Sequence, residues 1–134
     1  ALRPHFDIAP ELDVDDRLPA TLEEEGALAL VTPGRTRLLR TRPETEAAAE
    51  QPVDASRASV ALAALPPHQV TYEPAWKLAV AAVEKGEAQA ALLLRPATVE
   101  VIASVARSRG RMPPKTTFFY PKPATGLVFR PVPE

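Results

Sequence analysis

Lys115-Thr116-Thr117-Phe118-Phe119-Tyr120-Pro121-Lys122 sets two cations, two threonine hydroxyls and three aromatic rings within eight positions. Lys115 and Lys122 supply point charges, while Thr116 and Thr117 add hydroxyl donors beside backbone N–H groups. Such a set suits a phosphate or carboxylate, and each charge-assisted hydrogen bond contributes about 1.5–3 kcal/mol. Phe119 and Tyr120 offer an apolar wall or a stacking plane for a base. Pro113, Pro114, Pro121, Pro123 and Pro131 punctuate the segment. Proline fixes φ and removes a donor, so the segment reads as neither helix nor central strand. The plainer alternative is a Pro-rich C-terminal strap that closes the domain, burying alternate aromatics and exposing its lysines. The two readings are compatible, since a rigid strap also holds donors in place.

Other chemistry finds little support. His5 and His68 each stand without a second His or Cys at ligand spacing, so both read as structural or surface residues and no metal site is expected. None of the four serines sits in a Gly-x-Ser-x-Gly elbow, and the five glycines do not cluster into a phosphate loop. Glu23-Glu24-Glu25 places three carboxylates together, but consecutive helical residues point in different directions, so the run reads as a solvated face. No catalytic residue and no cofactor is expected.

With 134 residues the chain suits a single domain, and 46% hydrophobic residues allow a core without disulfide staples. Alanine supplies 24 of those residues, so the core is thin and depends on Leu, Val and the few aromatics. Cysteine is absent, which removes thiolate chemistry and zinc–thiolate sites. A net charge of −1 argues against non-specific nucleic-acid binding. There is neither a signal peptide nor a long apolar run, so the expectation is a cytoplasmic protein without membrane contact.

The elements that would position these residues form an α/β (α+β) domain. A short strand is expected over residues 5–8, closed by Pro10, then a helix over 19–26 with Pro19 in its first turn and Gly26 at its stop. Two strands around Thr32-Pro33-Gly34-Arg35 make an N-terminal hairpin with a type II turn. Arg35 and Arg37 share a face of the second strand with Leu39, which suggests an edge strand. Residues 42–53 read as an internal surface linker or one weak helical turn. Asp54 is placed to cap a helix ending before Pro66-Pro67. A strand over 69–72, a helix over 74–84 and an apolar strand over 90–94 read as a C-terminal parallel βαβ unit, giving a mixed sheet covered by helices. Trp76, Val80 and Val83 form the sheet-facing stripe of that helix. A last helix over 97–109 presents Val99, Ile102 and Ala106 to the sheet.

From Val53 to Pro131 the sequence resembles the carboxy-terminal part of a bacterial family known as domain-of-unknown-function family 1015. The likeness rests on His68-Gln69-Val70-Thr71-Tyr72, Ala79-Val80-Ala81-Ala82-Val83-Glu84-Lys85-Gly86 and Ala90-Ala91-Leu92-Leu93-Leu94-Arg95-Pro96. It rests above all on the run from Met112 to Lys122, with Thr125-Gly126-Leu127-Val128 after it. In the family that run usually reads Met-Pro-Gln-Lys-Ser-Thr-Tyr-Phe-Tyr-Pro-Lys. Pro114 stands here for the Gln, Thr116 for the Ser and Phe118 for the first Tyr, while the order lysine, hydroxyl, hydroxyl, aromatic is kept. Family members are about three times longer and carry an amino-terminal Asp-Gly-His-His-Arg motif similar to ParB-like and free-serine-kinase proteins. This chain lacks that motif. The resemblance therefore implies the carboxy-terminal domain of a longer protein, with an amino-terminal domain as its partner.

Two functions follow as expectations. The first is an accessory ligand-binding domain of a nucleotide- or phosphometabolite-handling protein, in which Lys115, Thr116, Thr117 and Lys122 hold an anion flanked by Phe119 and Tyr120. The second is a structural or interaction module whose strap docks on a partner domain or on a second copy, forming a homo-oligomer.

Overall fold

The computed structural model describes residues 2–116. Thr117, Phe119, Tyr120, Lys122 and most of the expected strap lie outside the described residues.

The sheet is built on one hairpin. β2 (Leu28–Thr32) and β3 (Arg35–Thr41) pair antiparallel, with Thr32 opposite Arg35. Gly34 takes a φ of 71°, the positive value that the third residue of a type II turn requires. β1 (Phe6–Glu11) pairs antiparallel with β3, and β4 (Ala91–Leu93) pairs antiparallel with β2. The strand order is β1-β3-β2-β4.

This order corrects two expectations. β3 is a central strand, not an edge. Its arginines do not repel a neighbour because β1 meets them with an acid: Arg37 donates to Glu11, Arg35 contacts the same carboxylate, and Arg42 just after the strand contacts Asp7. Among the described residues the edge strands are β1 and β4, and β1 runs on through Pro10 instead of stopping there. Its register shifts between Ile8 and Glu11, the irregularity that lets an edge strand hold a proline.

The parallel βαβ unit is also not formed. Among the described residues every pairing is antiparallel. The intended first strand, residues 69–72, belongs to a stretch over 66–75 that is exposed throughout and has no ladder. A parallel strand must be buried on both faces, and Gln69 and Thr71 leave this one only half apolar.

Helices cover both faces. α1 (Leu18–Glu25) ends at Gly26 in the left-handed conformation, as its position after the acidic run suggests. With α4 (Trp76–Glu84) it packs on one face, where Leu18, Leu22, Val80 and Val83 meet Ala29, Val31, Leu38 and Leu93. Trp76 is partly buried against the same cluster, so the stripe foreseen on α4 is the one used. On the other face α3 (Asp54–Ala63) brings Ala58 and Ala61 to Phe6, Leu28 and Leu39. β2 therefore buries consecutive residues on opposite faces, consistent with its unbroken apolar run.

Residues 43–48 form α2 (Pro43–Ala48), with Pro43 in its first turn and Thr45 buried. His5 Nδ1 lies 3.1 Å from Thr45 Oγ1, which ties this helix to the start of β1. α5 (Val99–Arg107) does not present the expected stripe. Val99 is 70% exposed and Ala106 is exposed, whereas Val105 is buried. No helix among the described residues is long and apolar enough to cross a membrane.

Candidate functional site

Lys115 and Thr116 are the members of the predicted anion motif within the described residues, and one tight turn contains both. The Thr116 N–H donates to the Pro113 carbonyl at 3.3 Å, and its hydroxyl donates to the same oxygen at 2.7 Å. Pro114 and Lys115 are the central residues of that turn. Lys115 has a φ of 59° and an exposed side chain. Proline second and a positive φ third is the pattern of a type II turn, where glycine is the usual third residue. Arg109 also has a positive φ, 56°, but it follows α5 in a helix-ending turn closed by Gly110 N–H on the Val105 carbonyl at 2.9 Å. Lys115 has no helix end to account for its conformation. The Thr116 hydroxyl proton is committed inside the turn, so this residue meets an incoming anion less directly than the sequence suggests.

Charge gathers instead in two places that sequence reasoning missed. The first surrounds Asp54. Its carboxylate, with the side chain only 1% exposed, accepts from Arg95 N–H at 3.0 Å, Arg95 Nε at 2.9 Å, Arg95 Nη2 at 2.6 Å and Arg57 Nη1 at 2.8 Å. Arg57 also grips Glu46 with two nitrogens, its Nη2 at 2.7 Å. Burial alone would push the Asp54 carboxyl up, but the hydrogen bonds from Arg95 and Arg57 outweigh it and hold the group below the usual carboxylate range. The bonds from Arg57 likewise lower Glu46. A pocket of about 180 Å³ opens beside this network, bordered by Arg57, Arg95, Thr98 and Val101.

Asp54 is therefore not the helix cap it resembles. Val53 occupies the cap position of α3, and the Asp54 side chain turns to Arg95, 41 residues along the chain. Thr98 is a cap in fact, accepting from Val101 N–H at 3.3 Å.

The second place is an open cleft of about 470 Å³ along β1, bordered by every residue from Phe6 to Glu11 and by Arg3, Arg37 and Arg42. Arg42 Nη2 lies 2.6 Å from Asp7 Oδ1, and Arg37 Nη2 lies 3.0 Å from Glu11 Oε1. Arg42 Nε is buried and has no hydrogen-bond partner among the described residues. No local signal announces this cleft, because Arg3 lies far from Arg37 and Arg42 in sequence and meets them only once β1 pairs with β3.

Among the described residues no group of three or more His, Cys, Asp or Glu side chains is arranged to hold a metal ion. Glu23, Glu24 and Glu25 are all exposed, and Glu25 pairs with Arg40. His68 is exposed and bonds the nearby Pro66 carbonyl at 2.8 Å.

The chain matches no family model, no curated protein and no solved structure.

Proposed function

We propose that the chain is an accessory binding module that recognises an anionic group, such as the phosphate of a nucleotide or a phosphorylated metabolite, through the motif that begins at Met112. The observation that supports this reading is Lys115 itself. A lysine occupies the third position of a Pro-Pro turn at a φ of 59°, where glycine would carry no steric cost, and its charge faces solvent. The likeness to the carboxy-terminal part of domain-of-unknown-function family 1015 belongs to the same proposal, as does an amino-terminal partner domain that would carry any chemistry.

Thermal melting with pyrophosphate, ATP and ADP tests the reading. A ligand at a hundred times its dissociation constant stabilises the fold by about 2.7 kcal/mol. Both Lys115→Ala, which keeps the backbone cost, and Lys115→Gly, which removes it, should abolish that shift while the unliganded protein stays folded. A shift that survives in both variants rules Lys115 out as the contact.

A specific observation favours a second reading, an interaction module. Val70 is 47% exposed, and Tyr72 and Leu78 are each 59% exposed, in and just beyond the extended stretch over 66–75. Sedimentation of the wild type against Tyr72→Lys tests this. Self-association lost in the variant supports the module, and a monomer in both removes the second-copy form of it. Phe118 and Phe129, the strap's own aromatic candidates for such a contact, lie outside the described residues.

A further inference from the structure

We propose that the cleft along β1 is a second anion site, one that takes the phosphate group of a small soluble molecule through Arg42, with Arg3 and Arg37 as supporting charges. The proposal is independent of the Lys115 reading.

Three guanidinium groups reach this cleft from different parts of the chain: the turn before β1, the middle of β3 and the residue just after β3. Their partners leave donors unused. A guanidinium carries five N–H groups. Arg37 donates one nitrogen to Glu11, and Arg42 meets Asp7 with Nη2 alone. Arg3 makes no ion pair among the described residues. The buried Nε of Arg42 is the decisive atom, because a buried donor is normally satisfied by protein, water or ligand.

Nε and a terminal nitrogen form the edge with which arginine grips two oxygens of a phosphate or carboxylate. An arriving oxyanion competes with Asp7 for Nη2, and a shift of the half-exposed Arg42 side chain as Asp7 yields would bring the buried Nε to its acceptor. Asp7 can yield, since its side chain is 67% exposed and can turn into water. Three positive side chains along one cleft suit a multiply charged anion better than a singly charged carboxylate. The cleft volume exceeds what one phosphate fills, and Ile8 and Ala9 lend apolar surface for the remainder of a larger molecule.

A rival explanation is that Asp7 rotates in solution to grip both Nε and Nη2, so that no ligand is needed. Titration of the 134-residue chain with inorganic phosphate, followed through the arginine Nε–H NMR signals, separates the two. The expected result is a saturable shift of the Arg42 signal that acetate at equal concentration does not reproduce. Arg42→Gln should weaken phosphate by more than about tenfold, since both of its charge-assisted bonds are lost. Asp7→Asn should tighten it several-fold by removing the competing carboxylate. An Arg42 signal indifferent to phosphate, or phosphate binding weakened by Asp7→Asn, overturns the proposal. Because Asp7→Asn removes only an exposed charge, the proposal stays testable even if Arg42→Gln does not fold.

Discussion

Arginine and carboxylate side chains meet twice in this molecule, with opposite results. Around Asp54 the acid is buried, both of its oxygens are engaged, and two guanidiniums converge on it from α3 and from the residues after β4. Along β1 the acids are the exposed partners, each arginine meets its acid through one nitrogen, and a guanidinium nitrogen is left buried without an acceptor among the described residues. The first arrangement is closed and holds elements together. The second is open and has capacity for something else. Composition cannot separate them, because the residue types are the same. Burial of the carboxylate and the number of donors it accepts do.

The largest expected effect tests the closed network. Asp54→Ala leaves Arg57 and Arg95 without their shared acceptor, and removing one partner of a buried ion pair costs about 3–5 kcal/mol. Chemical denaturation measures this, and a loss under about 1 kcal/mol would mean that the network is no more structural than a surface pair. Acid gives the same contrast without mutation. The folded Asp54 carboxyl titrates below its unfolded value, so its stabilisation is complete above the ordinary carboxylate pKa of about 4 and disappears as pH falls through the folded value. Denaturation midpoints followed down through that range should fall in the wild type and fall less in Asp54→Ala.

Along β1 the expectation is much smaller. Glu11→Gln removes both the Arg35 and the Arg37 contact, yet the Glu11 side chain is 52% exposed. Its cost should stay below about 1 kcal/mol and shrink further in high salt. A larger loss would make the β1 cleft a second closed network and end the comparison. The smallest effect sharpens the Lys115 argument. Lys115→Gly should raise stability by about 0.5 kcal/mol, the relief of a left-handed side chain less the backbone entropy that glycine adds. A measurable destabilisation would show that the Lys115 side chain makes contacts of its own.

The parts of the fold legible in the sequence are those whose cause is local. Pro33-Gly34 dictates its turn, Gly26 ends α1, and Trp76, Val80 and Val83 mark the inner stripe of α4 because helix geometry alone aligns them. The parts misread depend on distant partners. β3 looked like an edge because arginines on a strand usually deter a neighbour, and only Asp7 and Glu11 on β1 make them welcome. Strand, helix and strand in order suggest a parallel partner for β4, but the choice between β2 and residues 69–72 is made by burial on both faces. Asp54 has the sequence position of a cap, and nothing near it announces Arg95. The candidate site divides in the same way. Lys115 and Thr116 were found from their own motif, whereas the β1 cleft needs strand pairing before its arginines converge.

The strand order β1-β3-β2-β4 also sets a timetable for folding. β2 and β3 join directly as a hairpin and β1 closes on β3, so these three strands can assemble as soon as residues 6–41 are made. β2 then waits, its outer edge bare and apolar, until α2, α3 and α4 have been synthesised and β4 arrives. During that wait the edge is open to pairing with another nascent chain. Arg95 follows directly behind β4, so seating the strand on β2 and closing the guanidinium on Asp54 are a single event. The ion network is thus the latch on the last step, and a chain that lacks it should aggregate during synthesis more than its folded stability predicts.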